Sequence, residues 1–185
     1  LNDSWTVTPS LMAQKQTADG SFGADRTLGK YNVGHGLPEG SDDKWLQAAL
    51  TVEGKVGSWD MVYAGSYLDR DVEFNFDYAD YSYWYDVAYL ADGTNFSSFF
   101  YNDDGDSIDF SQYVLSTDGY RKYSQELRFS SPQDYRLRGL IGGFWQRQEH
   151  AIYQNYKIDD LSSDLEVTGS EDTLWLTEQD RTDED

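Results

Sequence analysis

The amino-acid sequence predicts an all-β chain of about six antiparallel strands, of the kind that forms the wall of a transmembrane β-barrel. Its alternating apolar and polar segments run for about 10–15 residues, longer than the strands of most globular domains. Short and long connections alternate between these segments, as do the short periplasmic turns and long extracellular loops of outer-membrane barrels. The short connections lie at residues 53–58 and 130–134, and the long ones at about 19–43, 69–119 and 153–172.

The individual strands are predicted from this alternation. In the first of them, Trp5–Thr17, Val7 and Leu11 fall on one face, and Thr8 and Ser10 fall on the other. Apolar residues do not recur at helical spacing, and so we predict no helix. The other predicted strands are Lys44–Glu53, residues 59–68, residues 123–130, residues 137–145 and a segment that begins near Thr173.

The composition and net charge of the chain limit the classes of molecule that it is expected to bind. The chain has 34 acidic and 14 basic residues, which disfavours binding to nucleic acid because phosphate contacts need clustered Lys and Arg. Aromatic residues make up 16% of the chain, which favours an ordered fold. The absence of cysteine excludes disulfide scaffolds and Cys-based sites. The terminal sequences suggest a chain that begins and ends partway through a strand.

The polar face of the strands carries charged residues, which are costly inside a soluble core but tolerated in a wet barrel lumen. An open antiparallel sheet with one wet face produces the same alternation. Aromatic residues near the strand ends match the girdles at membrane interfaces; they are Trp5, Trp45, Trp59, Tyr67, Tyr123 and Trp145. The predicted lumen-facing residues are Glu53, Glu126, Arg128, Arg136 and Arg138.

Two hairpin sequences resemble a known family. The segment at 123–132, YSQELRFSSP, continues at 136–145 as RLRGLIGGFW, and residues 52–70 form a preceding hairpin. Both resemble hairpins that recur, in this order and spacing, in TonB-dependent outer-membrane receptors. The resemblance implies that residues 1–185 are part of a 22-stranded receptor barrel, without the plug domain, the TonB box or the closing strand.

The resemblance also implies a function. Such receptors take up a scarce ligand of the iron–siderophore, cobalamin or oligosaccharide class across the outer membrane of Gram-negative bacteria. The expected partners are outer-membrane lipid, a small extracellular ligand, the receptor's own plug domain and the TonB–ExbB–ExbD energy transducer. We predict neither enzymatic activity nor a cofactor.

The segment 69–118 contains most of the candidate ligand-binding residues, since aromatic rings stack on sugars, flat chelates and cations. The same rings can instead form the loop's own hydrophobic cluster. The candidates are Tyr78, Tyr81, Tyr83, Trp84, Tyr85, Phe99, Phe100 and Tyr101.

Asp103, Asp104 and Asp106 are weak candidates for a calcium site. Aligning Gly105 with the invariant glycine of an EF-hand puts Ser111 where the twelfth ligand must be Glu. An Asp-Gly turn explains the motif better.

Two alternative functions remain open from the sequence. A soluble, secreted β-sandwich would use the acidic aromatic loop to bind carbohydrate, and its apolar faces would pack on each other. A barrel enzyme would use loop acids with His35 or His150 as a general base. No nucleophile signature supports the enzyme.

Overall fold

The computed structural model describes residues 4–20, 23–89, 95–166 and 174–184. These residues form one antiparallel sheet with the strand order β1-β2-β3-β4-β5-β6, which confirms the predicted all-β antiparallel fold. In the described chain β1 and β6 are the two edges of the sheet. The strands are β1 (Trp5–Asp19), β2 (Gly40–Val56), β3 (Trp59–Asp77), β4 (Gln112–Ser130), β5 (Leu140–Ile158) and β6 (Leu174–Glu184).

The strands extend further towards the long loops than predicted. β3 and β4 remain paired up to Asp77 and Tyr113, well beyond Asp69, where the long loop was expected to begin. Two of the acidic residues that suggested a loop have basic partners across the ladder: Arg121 Nε lies 3.6 Å from Asp69 Oδ1, and Lys44 Nζ lies 3.8 Å from Asp71 Oδ2. The long connections are therefore 20–39, 78–111 and 159–173. Within them, residues 21–22, 90–94 and 167–173 lie outside the described residues. The predicted start of the last strand, Thr173, is one of these undescribed residues.

The short connections lie at the opposite end of the sheet. Gly57 and Ser58 join β2 to β3, and Gly57 has a φ of +63°, which a two-residue hairpin turn requires. The β4–β5 connection is longer than predicted, because Ser131 and Gly139 close it with hydrogen bonds of 2.9 Å. β5 therefore begins at Leu140, and the predicted strand start at residue 137 is wrong.

The prediction of no helix is also wrong. Helix α1 (Ala79–Tyr89) follows β3, and its first turn is capped by Asp77, whose Oδ1 accepts a 2.8 Å hydrogen bond from Ala79 N. The sequence conceals this helix because aromatic residues occupy its exposed positions as well as its packed ones. Among the described residues, no helix is long and apolar enough to cross a bilayer.

A small hydrophobic core lies at the long-loop end of the sheet. Phe100, Phe110, Ile158 and Leu161 are buried together, and Trp175 of β6 packs against them. This core joins the described parts of the β3–β4 and β5–β6 loops into one unit, which we call the loop cap (residues 78–89, 95–111 and 159–166).

Candidate functional site

The strand register aligns side chains in rows across the sheet, and the two faces of these rows differ sharply. On one face, which we call the belt face, the three rows nearest the short turns contain no charged residue among the described positions. The lowest row is Trp5, Gly54, Met61, Phe129 and Ile141; the second is Val7, Val52, Tyr63, Leu127 and Gly143; the third is Pro9, Leu50, Gly65, Gln125 and Trp145.

The apolar side chains of these rows are exposed or half-buried, and none is fully buried. Ile141 is 67% exposed and Trp145 47%, and Leu11 in the next row is 73% exposed. A continuous apolar surface of this extent marks a contact with something else. We call it the apolar belt.

Aromatic residues border the apolar belt. Trp5 and Trp59 lie at its short-turn edge, while Tyr67 and Tyr123 lie side by side at its other edge, with ring centroids 4.8 Å apart. The nine residues from Trp59 to Tyr67 match the length of a tilted strand that crosses a bilayer. Trp45 lies on the opposite face, and so its predicted place in this girdle is wrong.

The opposite face, which we call the polar face, contains three of the five predicted lumen residues. Glu53, Glu126 and Arg128 project from it, and Arg128 Nε lies 3.1 Å from Glu126 Oε1. Arg136 and Arg138 are exposed in the β4–β5 connection, before β5 begins. Apolar exceptions also occur on this face, including Met12 and Phe144.

The loop cap folds over the upper end of the polar face. Tyr78, beside α1, packs edge-on against Tyr156 with ring centroids 5.6 Å apart, and Tyr156 projects from the polar face of β5. Trp175 Nε1 donates a 3.1 Å hydrogen bond to Gln112 Oε1 on the same face. The aromatic loop therefore covers the end of the surface on which Glu126 and Arg128 lie.

The eight aromatic candidates divide into packed and exposed groups. Tyr81 and Trp84 stack with ring planes 16° apart, and Tyr81 Oη lies 2.9 Å from Tyr85 Oη. The exposed side chains are Tyr81, Tyr83, Trp84 and Phe99; Tyr78, Tyr85 and Tyr101 are half-buried, and Phe100 belongs to the core.

Among the weak metal candidates, Asp103 uses its carboxylate in hydrogen bonds, whereas Asp104 and Asp106 donate backbone N–H groups. Asp103 Oδ1 accepts from Ser162 Oγ at 3.0 Å and from Ser163 N at 2.8 Å, and these bonds hold the pKa of Asp103 below its usual value. Asn102 Oδ1 accepts from the backbone N–H groups of Asp104 and Asp106. The described part of the chain has no group of three residues that could hold a metal ion. The motif instead forms a turn that attaches one loop to the other.

The two histidines each contact a carboxylate, at different places. His35 Nδ1 lies 2.8 Å from Glu39 Oε2 in the β1–β2 loop, and the hydrogen bond with Glu39 raises the pKa of His35. His150 Nε2 lies 2.9 Å from Asp118 Oδ1, on the polar face.

Asp77 attaches the β1–β2 loop to the start of α1. Its Oδ2 accepts hydrogen bonds from Gly36 N at 2.7 Å and Leu37 N at 2.9 Å, while Oδ1 caps the helix. Burial alone would raise the pKa of Asp77, but these three backbone donors outweigh it and lower the pKa. Both the helix cap and this contact were missed from the sequence, because no local pattern pairs Asp77 with residues 40 positions earlier.

A scan against protein-family models, a search of curated proteins and a search of solved structures each find no match for this chain. The resemblance to TonB-dependent receptors therefore stays a prediction. The structural features that bear on function are the two faces of the sheet and the loop cap.

Proposed function

We propose that this chain forms part of the barrel wall of an outer-membrane TonB-dependent receptor, which takes up a scarce ligand of the iron–siderophore, cobalamin or oligosaccharide class. The observation that carries the proposal is the apolar belt. It extends over five neighbouring strands, has aromatic borders and lies opposite a face that carries Glu53, Glu126 and Arg128. This is the outside-apolar, inside-polar pattern of a transmembrane barrel.

The loop cap supports the same proposal from the other end of the sheet. It lies over the polar face, as expected of loops that narrow the mouth of a barrel and select a ligand. Its exposed rings, Tyr81 and Trp84, are accessible for stacking on a flat ligand or a sugar. In this function the chain makes and breaks no chemical bond, and the polar face contacts the plug and the passing solute.

The secreted β-sandwich requires a second apolar sheet against the apolar belt. The six strands of the described chain form a single sheet, and Leu11 and Ile141 on its belt face are largely exposed. This arrangement favours lipid as the surface that covers the belt.

The proposal is tested by lysine substitutions at two adjacent positions of β2. Leu50 lies in the third row of the apolar belt, and Thr51 lies on the polar face. We expect Leu50→Lys in the full-length receptor to destabilise folding into lipid vesicles by about 2–4 kcal/mol, as a basic residue near the bilayer midplane does. Thr51→Lys should fold nearly as well as the unchanged protein. Equal effects of the two lysines, or a folded protein that stays in buffer without detergent, would contradict the proposal.

A further inference from the structure

Five of the six basic residues on the belt face of the described strands lie at one height; the sixth, Lys157, lies near the end of β5 on the long-loop side. Arg147 is in the row of Tyr67 and Tyr123, and four more basic residues lie in the next two rows above the apolar belt. The two rows after that contain acidic but no basic residues among the described positions. We call the five residues the basic band: Lys15, Lys44, Arg121, Arg147 and Arg181.

The basic band is more positively charged than the chain as a whole. Among the described positions, its rows contain five basic and four acidic side chains, an excess of one positive charge, whereas the chain has a net charge of −20. The four acidic residues are Asp69, Asp71, Glu149 and Asp183.

A gap in the side chains opens the basic band towards solvent. Gly119 and Ala151 lie side by side on the belt face, so a shallow groove of about 200 Å³ forms there. Arg121 and Arg181 line this groove, together with two acidic residues, Asp71 and Glu149. Two guanidinium groups beside one gap suit a phosphate group, which arginine binds through paired hydrogen bonds.

The existing ion pairs leave the basic side chains accessible. Arg121 Nε is 3.6 Å from Asp69 Oδ1, and Lys44 Nζ is 3.8 Å from Asp71 Oδ2. The Arg121 side chain is 57% exposed. Ion pairs as exposed as these contribute little to the stability of the fold. Their basic side chains can therefore contact a second anion at a small cost in free energy.

We propose that the basic band docks the phosphate groups of lipid headgroups in the leaflet on the long-loop side, with the groove between Arg121 and Arg181 as its most specific contact. The inference rests on the proposed function, because the band meets headgroups only if the apolar belt spans the bilayer. Continuity favours lipid over a soluble anion: the rows are about 7 Å apart along each strand, so the band begins where the belt ends. Basic residues at this level are attracted to anionic lipid.

The test compares two double variants of the full-length receptor that remove equal charge. Arg121→Gln with Arg181→Gln neutralises the groove, and Arg26→Gln with Lys30→Gln neutralises the exposed β1–β2 loop. The folding equilibrium is measured in phosphatidylcholine vesicles, with and without a minor fraction of phosphatidylglycerol. We expect the unchanged protein and the loop variant to favour the anionic vesicles, and the groove variant to lose about threefold to tenfold of that preference.

Three results overturn the inference in different ways. An unchanged lipid preference in the groove variant overturns headgroup docking alone, because the protein still folds into both vesicles. Folding into neither vesicle overturns the proposed function and the inference together. Loss of the preference on adding inorganic phosphate, at ionic strength matched with chloride, would identify a soluble-anion site instead of a lipid contact.

Discussion

The indole ring of Trp5 lies across Gly54, its directly opposite partner in the β1–β2 ladder. A Cβ atom added to Gly54 would lie 2.8 Å from Cζ3 of the ring and closer still to other ring atoms. On β3, Tyr63 covers Gly65 in a similar way, with its hydroxyl 2.6 Å from the position of a Cβ atom. Aromatic rings that cover strand glycines help to fix the register of a sheet.

Gly54→Ala should therefore destabilise the protein, because the Trp5 ring must move. We expect a loss of about 1–3 kcal/mol in the free energy of unfolding, as for other overpacked sites, measured by urea unfolding in vesicles. Gly143→Ala is the matched control, since Gly143 is on the same face with no atom within 4 Å of an added Cβ. Similar losses from both substitutions would contradict the contact with Trp5.

The sequence predicts the lower half of the sheet well and the upper half poorly. Between the short turns and Tyr67, apolar and polar residues alternate because one face must avoid water, and the register pairs Tyr63 with Leu127 as that alternation requires. Above Tyr67 both faces are polar, and a residue such as Asp69 gives no sign within its own strand that Arg121 will lie opposite. Strand extension there depends on cross-strand partners, which a single sequence does not display.

Burial within the loop cap is equally hidden from the sequence. Phe99 and Phe100 are adjacent and identical in type, yet Phe99 is 54% exposed and Phe100 only 5%. A 3₁₀ turn at Phe96–Phe99 directs these neighbours to opposite sides. Exposed rings, which are candidates for ligand binding, and buried structural rings therefore look alike in the sequence of this loop.

Phe100→Ala should disrupt the loop cap while the sheet stays intact. Deleting a buried phenyl ring typically costs about 3–5 kcal/mol, and Phe100 contacts Phe96, Phe110 and Trp175. We expect faster amide hydrogen exchange at residues 100–111 and 159–166, with unchanged exchange in β2 and β3. Phe99→Ala is the control, and an equal effect from it would show that the core assignment is wrong.

Trp84→Ala should weaken ligand capture without unfolding the protein. The side chain of Trp84 is 60% exposed and stacks on Tyr81, so its removal leaves no buried cavity. Loss of one stacking ring is expected to lower the affinity for the ligand by about fivefold or more. Val87→Ala, at another exposed position of α1, should leave the affinity unchanged. Full affinity in the Trp84 variant would exclude this face of α1 from the binding site.

The contact between His35 and Glu39 should depend on pH. The hydrogen bond with Glu39, aided by the charges of Asp77 and Asp80, raises the pKa of His35 above 6.5. Because the pKa of His35 is higher in the folded state than in the unfolded state, protonation of His35 stabilises the fold. This stabilisation is fully present at pH values below the pKa of the unfolded state, and it is lost as the pH rises through the pKa of the folded state.

An NMR titration of the His35 ring measures this shift directly. Glu39→Gln should lower the pKa of His35 towards its usual value, because the hydrogen bond with the Glu39 carboxylate is the largest cause of the raised pKa. An unchanged His35 titration in the Glu39 variant would mean that the hydrogen bond does not form in solution.

The neighbour-to-neighbour order of the six strands makes the sheet modular. Each described strand pairs with the strands before and after it in the chain, so no pairing spans an intervening strand. Duplication or loss of one hairpin would alter the circumference of a barrel without changing the register of any other pair. The same property would allow a long loop to change in sequence while the register of the apolar belt stays the same.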